Sequence, residues 1–595
     1  MNFEVFFKIF NSIILELSFW AVLIAFFVIL FDLIKNLSKK EILFFCFSVA
    51  SSFLLRLKYG LFAPWHPQDH YVGIFFNFKN NALANFFNLP NVYTASGGLF
   101  EILYKRIMFF SDGFNVYHVY FLGLFLNILA GILIFALAWN LFKNKFVAFI
   151  SFYIFAFLPL LIKISATEVF FIINAITILL FANLVFYIFK RKDKLIRFYV
   201  LLFFIYCANL LGRKEYLAFF IVGFFSFFVL VLIFNKNIRK KIFDNFYIII
   251  TFIFFCIVVS FIYFLAWVFP NIKMVVDGPY GFSENFFRLF FNSFLIYKPN
   301  THSYAPYLRL FFTPVYFSVL LFVAPLVLLI KKKWFLLVFD IIFLALLIPM
   351  LNIWLTDFRF VLPLLFFLIP QVGYVMYVLF KENFFSFKIK LSSEKVLIIS
   401  LIIIIFSTFQ CWYFLKSETA RKKEQDFLIK HIKKTVPNNS LILTVAQKKY
   451  KNSKFEFIGK DYKYCHHGLE FPGYLIPEKK NIDVMDIYKE YNPEVIKNYK
   501  NVFYYRGLYS YHERDINNEI TGSCEEGLKS YNNILNKKVI NVVEDFEEKH
   551  KLVFVEGLDV KNVGFEIFFV KDFLRGFNAS VRAEGVLGIN LYKIN

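Results

Sequence analysis

The sequence predicts a polytopic α-helical membrane protein of about twelve transmembrane helices, carrying a small C-terminal α/β domain. Three observations predict it. Of 595 residues, 59% are hydrophobic and 22% aromatic, with 90 Phe, where an ordinary globular chain holds roughly 45–50% apolar residues. Mean hydropathy is +0.61. Apolar runs long enough to cross a bilayer fill residues 1 to about 415 and then stop. A disordered, collagen-like or wholly soluble chain is excluded.

The runs fall at 11–34, 41–57, 116–140, 146–164, 169–189, 198–212, 216–234, 245–268, 310–330, 334–351, 360–380 and 396–415, each near the ~20 residues a spanning helix needs. The formal charge of +23 helps orient them. Beyond residue 415 there are 30 Lys+Arg and 25 Asp+Glu, leaving 35 basic and 17 acidic residues among the spans. Twenty-one of those 35 cations sit in alternate short connections, at residues 35–40, 143–145, 190–197, 236–241, 331–333 and 381–395. The positive-inside rule makes these connections cytoplasmic. It places the long loops at 58–115 and 269–309, and the whole tail, on the outer side of the cytoplasmic (inner) membrane. The first run, punctuated by Glu4, Lys8 and Glu16, can lie partly in the interface. It lacks a small-residue cleavage site before Lys35, so it reads as retained.

No repeat of fixed period and no Walker or dinucleotide Gly pattern occurs, so ATP-driven pumping has no support. From about residue 416 the chain changes character. A polar helical stretch over 418–434 ends at Val436-Pro437-Asn438-Asn439, and β-type runs follow at 441–445, 502–505, 552–555, 565–570 and 587–594. The boundaries are therefore 1–415 for the membrane domain and 416–595 for the α/β domain. Of the six cysteines, Cys465 and Cys524 are in the tail; pairing and free thiols are equally open. Cys465-His466-His467 lacks a spaced second pair of ligands, so it is a weak metal signal.

Candidate chemistry lies in charges at the outer ends of spans, where lipid would penalise them. The first outer loop opens Trp65-His66-Pro67-Gln68-Asp69-His70-Tyr71. An acid between two histidines there suits a general base, His66 and His70 supporting Asp69; the plain alternative is a solvated turn at Pro67. Glu168 follows Ser165-Ala166-Thr167 at the next outer turn, where it also suits the dipole of a capped helix N-terminus. Arg213-Lys214-Glu215 crowds charge into a very short outer turn, and an internal ion pair would explain it equally. Asp357-Phe358-Arg359-Phe360 sits at the mouth of a late span containing Pro363. An arginine there either snorkels to head groups or holds phosphate in its donor fork.

Taken together, Asp69 soon after a span, Glu168 at the next outer turn, Arg213-Lys214-Glu215-Tyr216-Leu217 opening an apolar run, Arg359 before Pro363 and an outer C-terminal domain resemble the GT-C superfamily of polyprenyl-phosphate-sugar glycosyltransferases. The pattern is similar to the branch containing protein O-mannosyltransferases and lipid A aminoarabinose transferases. His66-Pro67-Gln68-Asp69 departs from the paired-acid form common in that superfamily, and the Trp-Trp-Asp signature of oligosaccharyltransferases is absent. The resemblance implies a GT-C-like membrane domain and inverting transfer of a hexosyl or pentosyl unit from a polyprenyl-phosphate donor to an acceptor hydroxyl on a glycan, lipid or protein. Asp69 is the implied base with Glu168 beside it. Arg213 and Arg359, with Lys58 and His302, would hold the departing phosphate, and Glu215 would support them. The resemblance assigns no cofactor with certainty, and a divalent metal ion stays open. Nucleic acid is not an expected partner.

Two other readings share the architecture. A transporter or flippase of lipid-linked glycans predicts Pro-broken helices with charge deep in the span. The spans here are almost free of deep charge, Asp340 being the main exception. A surface-polysaccharide polymerase or ligase shares donor and compartment.

Overall fold

A computed structural model describes residues 3–60, 99, 102–103, 116–163, 165, 169–190, 196–210, 233, 239–240, 243–263, 314–353, 362–381 and 391–410. In the tail it describes 427, 430–431, 433–444, 448–451, 454–457, 482–487, 491–506, 543–564 and 582–595. Contacts divide these residues into a helical unit up to 410 and a sheet unit from 427.

The helical unit contains α1 (Phe3–Lys35), α2 (Lys39–Tyr59), α3 (Val116–Phe142), α4 (Lys145–Phe157), the short α5 (Pro159–Lys163), α6 (Val169–Lys190), α7 (Ile196–Leu210), α8 (Phe246–Tyr263), α9 (Val315–Ile330), α10 (Trp334–Ile353), α11 (Leu362–Lys381) and α12 (Ser393–Gln410). Five segments within α1, α2, α3, α6 and α11 are long and apolar enough to cross a membrane, and shorter apolar segments lie in α4, α7, α8, α9 and α10. This is a mostly helical membrane protein with a sheet region at its C-terminus. Of the run expected at 216–234 only residue 233 is among the described residues.

Local signals set the helix starts. Ser38 and Glu41 form a reciprocal capping box on α2, the Ser38 hydroxyl accepting from the Glu41 N–H while the Glu41 carboxylate accepts from the Ser38 N–H at 2.9 Å. Glu41 also pairs with Lys145, so one acid ties together the starts of α2 and α4. Asn144 caps α4 through the N–H groups of Phe146 and Val147. Lys143 and Lys332, at φ 52° and 51°, make the tight left-handed turns before α4 and α10.

The run expected as one span at 146–164 is two helices. Residue 159 is proline and has no N–H to give the Phe155 carbonyl, so α4 ends at Phe157 and α5 restarts at Pro159. Helices α3, α4, α6 and α11 form the interior. α4 packs on α2, α3, α11 and α12, and α3 packs on α6. Small residues let backbones approach, as they do between lipid-embedded helices. A Cβ on Gly131 would meet the Phe155 ring at 2.7 Å, and one on Gly373 would meet the Ser151 hydroxyl at 2.3 Å.

Buried polar side chains stitch neighbouring helices. The Asn183 amide donates to the Leu133 carbonyl at 3.0 Å, and Thr177 donates to Asn209 at 2.8 Å. Helices α1, α2 and α8 instead expose large apolar side chains such as Phe31, Phe47, Phe254 and Phe261, the surface expected of helices facing lipid tails.

The sheet unit is one mixed seven-stranded sheet in the order β3-β2-β4-β1-β5-β7-β6. The strands are β1 (Ser440–Thr444), β2 (Lys448–Lys451), β3 (Lys454–Phe457), β4 (Ile482–Asp486), β5 (Asn501–Arg506), β6 (Leu552–Gly564) and β7 (Arg582–Ile594). β1 runs parallel to β4 and β5, with Ser440 opposite Ile482 on one side and Asn501 on the other. Every residue of β1 is buried, as a central parallel strand covered on both faces requires. Leu441, Leu443, Val502 and Tyr504 pack on Val543 and Phe546 of the helix at 543–549, while Phe427 lies against Tyr505 on the opposite face. Runs 441–445, 502–505, 552–555 and 587–594 correspond to β1, β5, β6 and β7, and 565–570 lies outside the described residues.

Candidate functional site

Among the nominated residues, Asp69, Glu168, Arg213, Arg359, His302, His66, His70 and Glu215 lie outside the described residues, as do Cys465 and Cys524. Lys58 is described. It is exposed near the end of α2, with its ammonium 5.4 Å from the Tyr59 ring centroid.

Two residues earlier the same helix carries a charge that reading by motif passed over. Phe45, Ser48, Ser52 and Arg56 form the buried stripe of α2, spaced so that all four fall on one helix face. Arg56 is completely buried. Its Nε donates to the Asn127 side-chain oxygen of α3 at 2.6 Å. Nη1 donates to the Ser52 hydroxyl at 2.6 Å and the Ala156 carbonyl at 2.8 Å, and Nη2 to the Phe155 carbonyl at 3.0 Å. The guanidinium also lies 4.9 Å from the centroid of the Phe155 ring, within the range of cation–π attraction.

The break at Pro159 explains this arrangement. The last carbonyls of α4 have lost their helical donors and point past its C-terminus, where the helix dipole is negative. Arg56 takes two of them, and Thr408 of α12 donates to the third, Phe157, at 2.8 Å. The sequence signals were present as Ser48-x3-Ser52-x3-Arg56 and Pro159. Their meeting depends on a contact across about 100 positions.

Chemically, Arg56 is a brace whose three nitrogens are all engaged. Its acceptors are neutral, so this end of the bundle keeps a fixed positive charge in a medium that screens poorly. The same corner brings two chain segments together. Gly60 closes α2, its N–H donating to the Arg56 carbonyl at 2.7 Å. A Cβ there would come within 2.9 Å of the Ser165 hydroxyl, which donates to the Ile162 carbonyl at 2.8 Å. Gly60 and Ser165, which precede Asp69 and Glu168 in the sequence, are thus neighbours.

Comparison with known proteins adds no relative: no family model matches the chain, and no curated protein or solved structure is found similar to it. Among the described residues no group of three or more His, Cys, Asp or Glu side chains gathers to hold a metal ion.

A second buried polar feature lies deeper in the unit. Asp340 of α10 and Gln371 of α11 are both fully buried, and neither side chain has a hydrogen-bond partner among the described residues. Native structures rarely leave such groups unpaired.

Proposed function

We propose that this protein is a membrane glycosyltransferase. It takes a sugar from a polyprenyl-phosphate donor and passes it, with inversion, to an acceptor hydroxyl on the outer face of the cytoplasmic membrane. In this reading the chain crosses about twelve times, its Lys-rich short connections are cytoplasmic, and the sheet unit is extracytoplasmic. The observation that supports the reading is the contact of Gly60 with Ser165, described residues that precede Asp69 and Glu168 in the sequence, since the reaction needs a base and a second acid together.

The chemistry follows from the leaving group. A lipid phosphate departs as a stable anion, so the reaction needs little acid catalysis and much positive charge. Asp69 removes the acceptor's proton as its oxygen attacks the anomeric carbon, and the phosphate leaves with the bonding electron pair. Arg213 and Arg359, joined by Lys58 and His302, hold that phosphate, while His66, His70 and Glu215 orient their neighbours. The fixed charge of Arg56 adds to the field. Asp69 close to cations is a weak base, so much of the rate comes from positioning.

The test is Asp69→Asn in the purified full-length protein, supplied with a polyprenyl-phosphate-linked sugar. Transfer should fall to background while expression and elution volume stay those of the wild type; full activity in the variant would remove the assignment.

A further inference from the structure

We propose that α9, α10 and α11 enclose a binding site for a monovalent metal cation, with Asp340 as its charged ligand. This goes beyond glycosyl transfer and involves none of the residues assigned to it.

The first observation is the buried pair. Asp340 lies on the turn of α10 between Phe339 and Phe343, whose rings both approach Phe367 of α11, at 6.1 and 4.9 Å. Gln371 is one turn further along α11 from Phe367. The two unpartnered side chains thus occupy the same contact between helices, within about one helical turn of each other. Both have zero exposure, and neither carboxylate oxygen nor either amide atom has a hydrogen-bond partner among the described residues.

The second observation is in the flanking backbones. α9 contains Pro325 and α11 contains Pro370. Neither residue has an N–H, so the carbonyls of Leu321 and Phe366, four residues earlier, lose their helical donors. Both parent residues are fully buried. Leu328 of α9 packs on Leu336 and Leu337 of α10. Three residues along each antiparallel helix from that contact, away from the α9–α10 turn, come Pro325 and Asp340. Pro370 precedes Gln371 directly. Pro325 and Pro370 therefore stand at about the level of the buried carboxylate and amide, and the carbonyls they release lie within about one helical turn of it.

The charge balance selects the occupant. α9, α10 and α11 carry no basic residue except Lys381 at the far tip of α11, where it contacts Ser393. Lys331, Lys332 and Lys333 cap the α9–α10 turn, the nearest of them seven positions from Asp340, or about 10 Å along the helix. An ionised carboxylate with no cation beside it among the described residues is stabilised by one compensating positive charge. Oxygen-only donors suit a hard cation, and released helix carbonyls beside an acid are a recurrent way to hold Na+ within a membrane.

The probe is Na+. Thermal unfolding of full-length protein in detergent is followed against NaCl, with choline chloride keeping ionic strength constant. The midpoint should rise saturably with Na+. Asp340→Asn should lose the rise altogether, and Gln371→Ala should keep it with a half-saturating Na+ concentration roughly tenfold higher. If Asp340→Asn yields no folded protein, Gln371→Ala carries the test, since it leaves the carboxylate in place. Identical wild-type midpoints in Na+ and choline overturn the site, as does an undiminished response in the variants. A wild-type midpoint that changes with pH but not with Na+, and whose pH dependence Asp340→Asn removes, also overturns it, by identifying a protonated carboxyl. Glycosyl transfer is not the readout, so failure here leaves Asp69 untouched.

Discussion

Substituting Arg56 by Lys tests whether the donor fork, rather than the charge, holds the end of α4. Besides the Ser52 hydroxyl on its own helix, three acceptors on other helices depend on the guanidinium: the Asn127 oxygen and the carbonyls of Phe155 and Ala156, reached from three different nitrogens at 2.6–3.0 Å. An ammonium keeps the charge but concentrates its donors on one atom, so it serves one or two of these acceptors. Each buried acceptor left without a donor costs about 1–3 kcal/mol, which makes the expected loss about 2–4 kcal/mol. The assay is unfolding of detergent-solubilised protein by titration with SDS, followed by far-ultraviolet circular dichroism. Arg56→Met separates two explanations. If burial of the charge were the dominant cost, the unbranched apolar residue would be neutral or stabilising. If the orphaned carbonyls dominate, Met is at least as damaging as Lys. Lys within about 0.5 kcal/mol of wild type, or Met more stable than wild type, refutes the brace.

Two further outcomes are expected. Gly373→Ala places its methyl 2.3 Å from the Ser151 hydroxyl and 3.2 Å from the Ser151 backbone nitrogen, so α4 and α11 must part, at about 1–3 kcal/mol. Ser151→Ala in the same chain should recover only part of that in the SDS assay, because the backbone contact remains, and full recovery would contradict the close approach. In the sheet unit, burial, aided by the hydrogen bond donated to Asp483 and that residue's charge, pushes the Tyr499 hydroxyl up to about 12 from an ordinary 10. The folded protein then binds a proton that the unfolded chain has released between those values. Stability from this group is complete below pH 10 and lost as pH rises towards 12. Alkaline unfolding of Tyr499→Phe should show a shallower loss across that window than wild type, and equal slopes would rule out the assignment.

The membrane helices were legible because long apolar runs bounded by Lys clusters admit few other structures. The break within 145–163 was legible too, in Pro159, but hydropathy averages across a proline. In the tail, β1 and β5 announced themselves by unbroken apolar runs, whereas β4 reads Ile482-Asp483-Val484-Met485-Asp486 and looks like a polar loop. It becomes a strand because β1 buries Ile482 and Val484 while Asp483 receives Tyr499. β2, three of whose four residues are Lys, reads as a polar loop and becomes a strand by pairing with β3 on one side and β4 on the other. Arg56 was visible only as one cation among several at the ends of spans. Its burial depends on where α3 and α4 place their oxygens, which no local pattern encodes. Asp340 stood out as a deep acid from the start. Gln371 did not, because its role comes from tertiary register.

Prolines link the two buried polar features and separate their roles. At Pro159 the helix releases a carbonyl that an arginine from another helix takes up, so the oxygen dipoles and the cation satisfy one another. At Pro325 and Pro370 the same backbone chemistry releases carbonyls beside a carboxylate. Negative ends meet negative charge there, and the neighbouring Gln371 amide, with two donors, makes no hydrogen bond among the described residues. The first arrangement needs nothing more to be stable. The second, with its carboxylate ionised, is stabilised by one added cation, which is why Na+ should alter the unfolding of wild type and leave Asp340→Asn unmoved. By the same reasoning Arg56→Lys should weaken the protein equally in Na+ and in choline, since its oxygens already have their cation. A Na+ dependence in the cost of Arg56→Lys would show that the two features are coupled, with the contact of the Phe155 and Phe366 rings at 5.4 Å as the path between them.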